Sequence, residues 1–243
     1  MPIISKGHKK IWTTAIKDGV VAAWPICLGY LAIGLAFGVI AQKAGLHPLE
    51  IGLMSLMVYA GSAQFIAISM LAGGSAILPI IVTTFMVNLR HLLMSSSLSI
   101  YLKSVRGGWL ALYAYGVTDE SFALNLARFG NDDWDWRRAL VLNHTTNLAW
   151  IGSTIAGGFG GQFIPQGAFG IDYALIAMFI CLFIFQLRGN IYILVAIIAG
   201  GLAVGLSLLI PGNSYIIISS IVAATLGVLF RKFRLSRRVE GED

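Results

Sequence analysis

The sequence is poor in charge, and this shortage excludes most soluble architectures. Only 12% of the 243 residues are charged and 57% are apolar, with a mean hydropathy of +0.81, whereas soluble domains carry about 25% charged residues. At about 20 residues per span, such a chain holds seven or eight membrane helices and little else. We therefore expect an all-α, polytopic integral membrane protein. Residues 1–243 should form a single transmembrane domain with short tails at 1–18 and 231–243.

Several kinds of chemistry are also missing. The two cysteines, Cys27 and Cys181, fall inside apolar stretches, so a disulfide framework is not expected. The sequence has no His-Glu-x-x-His run and no nucleotide-binding loop, and its Gly-Gly-Ser run at 73–75 lies in a turn. We therefore predict neither an enzyme nor a metal or cofactor site. The net charge of +6 comes from basic residues at the chain ends, which is typical of membrane flanks rather than of nucleic-acid binding.

What the chain does contain is a series of long apolar stretches joined by short connections. The first stretch is too long for the apolar core of a signal peptide, so we interpret it as an uncleaved span. Some of these spans are expected to be broken near the membrane midplane. The predicted spans cover approximately residues 19–41, 51–72, 76–102, 108–127, 139–157, 173–187, 190–210 and 214–230.

The distribution of lysine and arginine predicts the orientation of these spans. With both termini in the cytoplasm, the cytoplasmic segments hold thirteen basic residues and the outer loops hold three, which are Lys43, Lys103 and Arg106. Cytoplasmic flanks of membrane proteins carry the excess of Lys and Arg. We therefore expect both termini to be cytoplasmic, provided that region 51–102 crosses the membrane twice.

One arginine lies in the middle of a long apolar run. Residues 51–89 contain no Asp, Glu, Lys or Arg, and Arg90 and His91 follow before the apolar pattern resumes. On a helix over 76–102, Arg90 lies about 20 Å from either end, too deep to reach the surface. A charge at that depth costs at least ~2.5–3.5 kcal/mol and needs a partner, a water cavity or a substrate. This position predicts a functional arginine and hence a transporter.

The neighbours of Arg90 leave two interpretations open. Asn88 and His91 are three residues apart and share a helix face, and an imidazole titrates in the range that suits a proton carrier. His91 is therefore either a proton relay or a hydrogen-bonded packing residue. In the alternative, the helix breaks at 88–91 and Arg90 binds only backbone carbonyls. Irregular backbone at that depth is tolerated only where it is buried or lines a cavity.

The fourth predicted span contains two adjacent acids, Asp119 and Glu120. One interpretation is a broken helix in which Thr118 caps the second half, because the first turn of a helix favours acidic side chains. One acid would then pair with Arg90 or with a substrate ammonium group. In the other interpretation the span ends near Val117 and an interfacial helix begins.

Further polar side chains lie inside the second and fifth spans. Ser62 and Gln64 accompany small residues that allow close helix packing. Asn143 and Asn147 share a helix face at i, i+4. These side chains either form hydrogen bonds between helices or line the transport pathway.

Three motifs in this order resemble the AzlC family, the large subunits of branched-chain amino acid exporters. They are Tyr59-Ala60-Gly61-Ser62-Ala63-Gln64-Phe65, Asn88-Leu89-Arg90-His91-Leu92-Leu93 and Thr118-Asp119-Glu120-Ser121-Phe122-Ala123. The chain length, the basic termini and the Gly34–Gly38 stretch extend the resemblance over most of the chain.

The resemblance implies proton-driven efflux of leucine, isoleucine and valine, with methionine as a further candidate, across the bacterial inner membrane. It also implies a small hydrophobic AzlD-type subunit as partner. The family pattern often has an acidic residue where this chain has Asn88, which leaves the coupling residue open. We expect the substrate-binding and coupling residues to be Tyr59, Ser62, Gln64, Asn88, Arg90, His91, Asp119, Glu120, Asn143 and Asn147.

A zwitterionic substrate suits these residues. Arg90 can hold a carboxylate through two hydrogen bonds, and Asp119 or Glu120 can hold an ammonium group or a proton. A passive channel or an assembly subunit for another small zwitterion is the alternative. A sharp dependence of flux on a proton gradient would distinguish a carrier from a channel.

Overall fold

The computed structural model describes residues 6–130, 134–163, 189–209 and 214–239, together with scattered positions between 173 and 187. All regular elements in these residues are helical, as predicted. The chain divides into two compact units, residues 1–175 and 176–243. The single transmembrane domain predicted above remains a prediction.

The first unit contains seven α-helices among its described residues, and the second contains two. Short 3₁₀ turns, Ser99–Tyr101 and Gly161–Phe163, follow the fourth and seventh helices. The helices are α1 Lys6–Lys43, α2 Pro48–Val58, α3 Gly61–Ala72, α4 Ile77–Leu98, α5 Gly107–Tyr115, α6 Asp119–Phe129, α7 Trp136–Gly160, α8 Asn190–Ser207 and α9 Ser214–Val239.

Several of these helices have the length and composition of membrane spans. By those two measures the spans are Ile11–Lys43, Ile77–Tyr101 and Asn190–Ser207. The predicted second and fourth spans are each built from two shorter helices, α2 with α3 and α5 with α6. The predicted span at 173–187 lies largely outside the described residues. The connection at 211–213, between the last two predicted spans, lies wholly outside them.

The second predicted span is interrupted at Tyr59 and Ala60. Tyr59 has φ 37°, the left-handed conformation, and Ala60 is also non-helical, so α2 ends and α3 begins at Gly61. Gly61 faces the Trp150 ring, and a Cβ there would lie 3.1 Å from it. The second predicted span therefore consists of two helices, which agrees with the expectation that some spans are broken.

The fourth predicted span is also interrupted, at residues 116–118. Both interpretations of this span place a helix boundary here, and the choice between a broken span and an interfacial helix stays a prediction. α5 ends at Tyr115, and α6 begins after Thr118, which caps it. The break considered at 88–91 is wrong, because α4 is continuous through Arg90.

The long helices α1 and α7 pack closely and hold the two broken spans. A Cβ on Gly38 of α1 would lie 2.1 Å from the Thr154 carbonyl oxygen, and one on Gly157 of α7 would lie 2.2 Å from the Leu35 carbonyl oxygen. Small residues of this kind let two membrane helices approach backbone to backbone. α1 and α7 are therefore in close backbone contact within the first unit.

Candidate functional site

The Arg90 side chain lies where the two broken spans meet. Its Nη1 is 2.7 Å from Oδ2 of Asp119, and its Nη2 donates to Oγ of Ser62. Ser62 is in the first turn of α3, and Asp119 is the first residue of α6. The continuous helix α4 thus contacts the start of both half-helices through one guanidinium. The Arg90 and Asp119 side chains are 26% and 30% exposed.

The Arg90 guanidinium keeps unused donor capacity. Among the described residues, its buried Nε has no hydrogen-bond partner, and neither do Asn88 Oδ1 or His91 Nε2. A guanidinium carries five N–H donors and binds carboxylates along one edge. Buried polar atoms are normally satisfied, so these three atoms of α4 have the capacity to form hydrogen bonds with a polar ligand.

His91 joins α4 to the break in the fourth span. Its Nδ1 lies 3.0 Å from the carbonyl oxygen of Val117. A carbonyl can only accept, so Nδ1 carries the hydrogen and Nε2 is left without a partner among the described residues. The break provides the acceptor, because Val117 lies between the two half-helices.

The two acids at the start of α6 diverge. Thr118 Oγ1 accepts from the Ser121 backbone N–H at 3.3 Å, and Ser121 Oγ accepts from the Thr118 N–H at 2.9 Å, which forms a reciprocal cap. Glu120 Oε2 accepts from the Tyr30 hydroxyl of α1 at 2.7 Å, and Tyr30 also lies 2.8 Å from Thr118 Oγ1. Asp119 therefore faces α4, whereas Glu120 faces α1.

Gln64 is fully buried and is bonded at both ends of its amide. Its Nε2 donates to Ser55 Oγ at 3.1 Å, and its Oε1 accepts from Trp150 Nε1 at 2.9 Å. Ser55 Oγ is in turn 2.8 Å from Thr154 Oγ1. Gln64 thus connects α2, α3 and α7.

Tyr59 is buried at the break between α2 and α3. Its hydroxyl donates to Thr146 Oγ1 of α7 at 3.1 Å, and its ring lies 6.1 Å from that of Tyr115. Tyr115 also donates to the carbonyl of Leu56 in the last turn of α2. Tyr59 at the first break therefore contacts Tyr115 beside the second break.

Asn143 and Asn147 form hydrogen bonds between helices. Asn143 accepts from Asn125 Nδ2 at 2.9 Å and donates to the Tyr113 carbonyl oxygen at 3.3 Å. Asn147 Nδ2 lies 3.4 Å from the Tyr115 hydroxyl. These contacts are the hydrogen bonds between helices that the sequence allowed, and a role of the two asparagines in lining the pathway stays a prediction.

Several important partners were not identified from the sequence. Tyr30 is separated by 90 residues from Glu120, and Trp150 is separated by 86 from Gln64. A buried tyrosine or tryptophan in an apolar run gives no signal of its partner. The hydrogen-bond partners that were not identified from the sequence are Tyr30, Ser55, Asn125, Trp150 and Thr154.

Comparisons with known proteins agree on one family. The AzlC protein family model matches residues 25–164, which include all the site residues named above. The branched-chain amino acid transport protein AzlC of Bacillus subtilis (strain 168) is 33% identical over 228 residues, covering 91% of this chain and 86% of the relative. The inner membrane protein YgaZ of Escherichia coli (strain K12) is 30% identical over 231 residues, covering 91% of this chain and 92% of the relative.

An uncharacterized membrane protein of Archaeoglobus fulgidus is 28% identical over 205 residues, covering 83% of this chain and 89% of the relative. No solved structure matches the chain.

Proposed function

The chain belongs to the AzlC family, and from this premise we propose that it exports branched-chain amino acids by proton antiport. Leucine, isoleucine and valine are the proposed substrates, and methionine is a further candidate. The transport name of the Bacillus subtilis relative supports the substrate class. The membrane placement is shared by its named relatives.

The observation that carries the proposal is the position of Arg90. It lies on a continuous helix, contacts the starts of two half-helices, and keeps an unpaired Nε–H among the described residues. Transporters commonly bind substrate at such interrupted helices. The unpaired Nε–H of Arg90 suits a substrate carboxylate, and an acid of the first turn of α6 suits the ammonium group.

The proposal includes a partner and an orientation. We propose that a small AzlD-type subunit assembles with this chain, and that both termini are cytoplasmic in the bacterial inner membrane. The excess of basic residues in the predicted cytoplasmic segments supports the orientation. The inner-membrane name of the Escherichia coli relative supports the compartment.

Proton-driven uptake of labelled leucine into inverted vesicles tests the proposal. The chain is expressed alone and with a small AzlD-type subunit, and both proteins are confirmed in the membrane. Uptake that requires the partner and collapses with a protonophore supports a two-subunit antiporter. Uptake that persists with a protonophore and does not saturate would instead indicate a channel, and no uptake in either preparation would contradict the substrate assignment.

A further inference from the structure

The two carboxylates at the start of α6 are in different electrostatic situations. Asp119 is held 2.7 Å from the Arg90 guanidinium, whereas Glu120 takes part in no ion pair among the described residues. Arginine stays protonated at all accessible pH values. Asp119 therefore has a permanent cationic partner, whereas the partner of Glu120 is the neutral hydroxyl of Tyr30.

Glu120 lies in the first turn of α6, and its side chain is exposed. Acidic side chains within membrane proteins face the interior of the helix bundle or a water-filled cavity rather than lipid. The Glu120 carboxyl is thus placed to meet protons and solutes.

Tyr30 fixes the orientation of this carboxyl. The tyrosine hydroxyl is buried, donates to Glu120 Oε2 at 2.7 Å, and has Thr118 Oγ1 at 2.8 Å. A hydroxyl has one hydrogen to give, so the Thr118 hydroxyl donates to Tyr30 while Tyr30 donates to Glu120. The second oxygen of Glu120 remains available to a ligand.

We propose that Glu120 is the residue that exchanges a proton for the substrate's ammonium group, while Asp119 stays paired with Arg90 and Tyr30 positions the Glu120 carboxylate. The inference rests on the proposed function and assigns its coupling step. Substrate and proton compete for one carboxyl, and this competition produces antiport.

The step involves one O–H bond. In the proton-loaded state Glu120 is a neutral carboxylic acid. When a zwitterion enters, the Glu120 O–H bond breaks, its proton passes to water on that side, and the carboxylate accepts hydrogen bonds from the ammonium group. On the other side the ammonium group leaves and a proton from water restores the acid, so one proton moves inward for each zwitterion moved outward.

Other ionisable groups surround Glu120. α1 contributes Tyr30, the break between α2 and α3 contributes Tyr59, and α4 contributes His91, and each of these three lies within the electrostatic influence of Glu120. Arg90 of α4 is paired with the neighbouring Asp119. On α7, His144 stacks on Tyr115 at 6.2 Å.

The test is calorimetric titration of the purified membrane complex with leucine between about pH 5 and pH 8, in buffers of different ionisation enthalpy, which counts the protons released. For the native protein we expect leucine affinity to fall by up to tenfold per pH unit on the acid side, with up to one proton released per leucine bound. Glu120→Gln should bind leucine weakly, without pH dependence and without proton release. Glu120→Asp should restore the pH dependence of leucine binding and the proton release, with the midpoint of the pH dependence shifted.

Two further variants separate the roles of the neighbours. Asp119→Asn should lower leucine affinity yet keep its pH dependence, and Tyr30→Phe should keep proton release but shift its midpoint.

Two ligands test the native protein directly. Binding of leucinamide, which retains the ammonium group, should release protons from the protein. Binding of 4-methylpentanoate, which lacks the ammonium group, should release none.

The outcomes distinguish the inference from the function on which it rests. Three results would overturn the assignment of Glu120 while leaving leucine as the substrate. They are leucine binding with native pH dependence in Glu120→Gln, loss of that pH dependence in Asp119→Asn, and proton release when 4-methylpentanoate binds. A native complex that binds no leucine at any pH would overturn the proposed function and the inference together.

Discussion

The guanidinium of Arg90 and the carboxylate of Asp119 lie 2.7 Å apart and join α4 to the first residue of α6. The same guanidinium reaches Ser62 in the first turn of α3. One side chain therefore connects an unbroken span to two broken ones. Any movement of the half-helices against α4 changes the surroundings of this charge.

Removing this charge should abolish export. We expect Arg90→Ala to reach the membrane but to lower leucine flux at least tenfold, because a charge-assisted hydrogen bond contributes about 1.5–3 kcal/mol. Vesicle uptake of labelled leucine, normalised to protein in the membrane, measures the effect. Arg106→Ala is the matched control, since Arg106 is exposed in the connection before α5, and its flux should stay near native. Native flux in Arg90→Ala would contradict the assignment.

The position of Arg90 inside a long apolar helix and the existence of interrupted helices could be predicted from the sequence, because an isolated charge and a capping pattern are local signals. Thr118 followed by two acids correctly indicates a helix start. The break at Tyr59 could not be predicted in the same way. A tyrosine with φ 37° has no local sequence signature, and its buried bond to Thr146 depends on the packing of α7.

The partners of the site residues were beyond prediction for a similar reason. Arg90 had two candidate acids one residue apart, and only the direction in which α6 leaves its cap selects Asp119 over Glu120. The hydrogen bond of Gln64 to Trp150 spans 86 residues. One sequence contains no information on which distant side chain is packed against which.

The contact between α1 and α7 predicts a position-specific effect of added methyl groups. Gly38→Ala and Gly157→Ala should each lower the free energy of unfolding by about 1–3 kcal/mol, because their Cβ atoms would overlap backbone atoms of the partner helix. Gly29→Ala and Gly152→Ala are controls on the same two helices, with nothing within 4 Å of the added Cβ. These controls should be neutral or slightly stabilising, since alanine favours helix over glycine.

Thermal unfolding of the detergent-solubilised protein measures these four variants. Equal midpoints for Gly38→Ala and Gly29→Ala would show that the close approach of the two helices is absent in the native protein.

The buried amide of Gln64 should contribute to stability rather than to substrate recognition. Gln64→Leu removes the acceptor of the Trp150 N–H and the donor to Ser55, and an unsatisfied buried group costs about 1–3 kcal/mol. We expect a lower unfolding midpoint and near-native leucine affinity in the folded fraction. Gln162→Leu is the control, because Gln162 is exposed in the turn after α7. A stable Gln64→Leu protein that no longer binds leucine would instead place Gln64 in the pathway.

The orientation of the chain can be tested across the α5–α6 span, because Lys103 and Arg106 before it are two of the three basic residues predicted in the outer loops. Lys103 precedes this span and Gly130 follows it, and both are exposed. With cytoplasmic termini, Lys103→Cys should react with a membrane-impermeant maleimide in intact cells, whereas Gly130→Cys should react only after permeabilisation. Both are made in a Cys27→Ala, Cys181→Ala background. The reverse pattern would invert the orientation of this span, and labelling of both from outside would mean that α5 and α6 do not together cross the membrane.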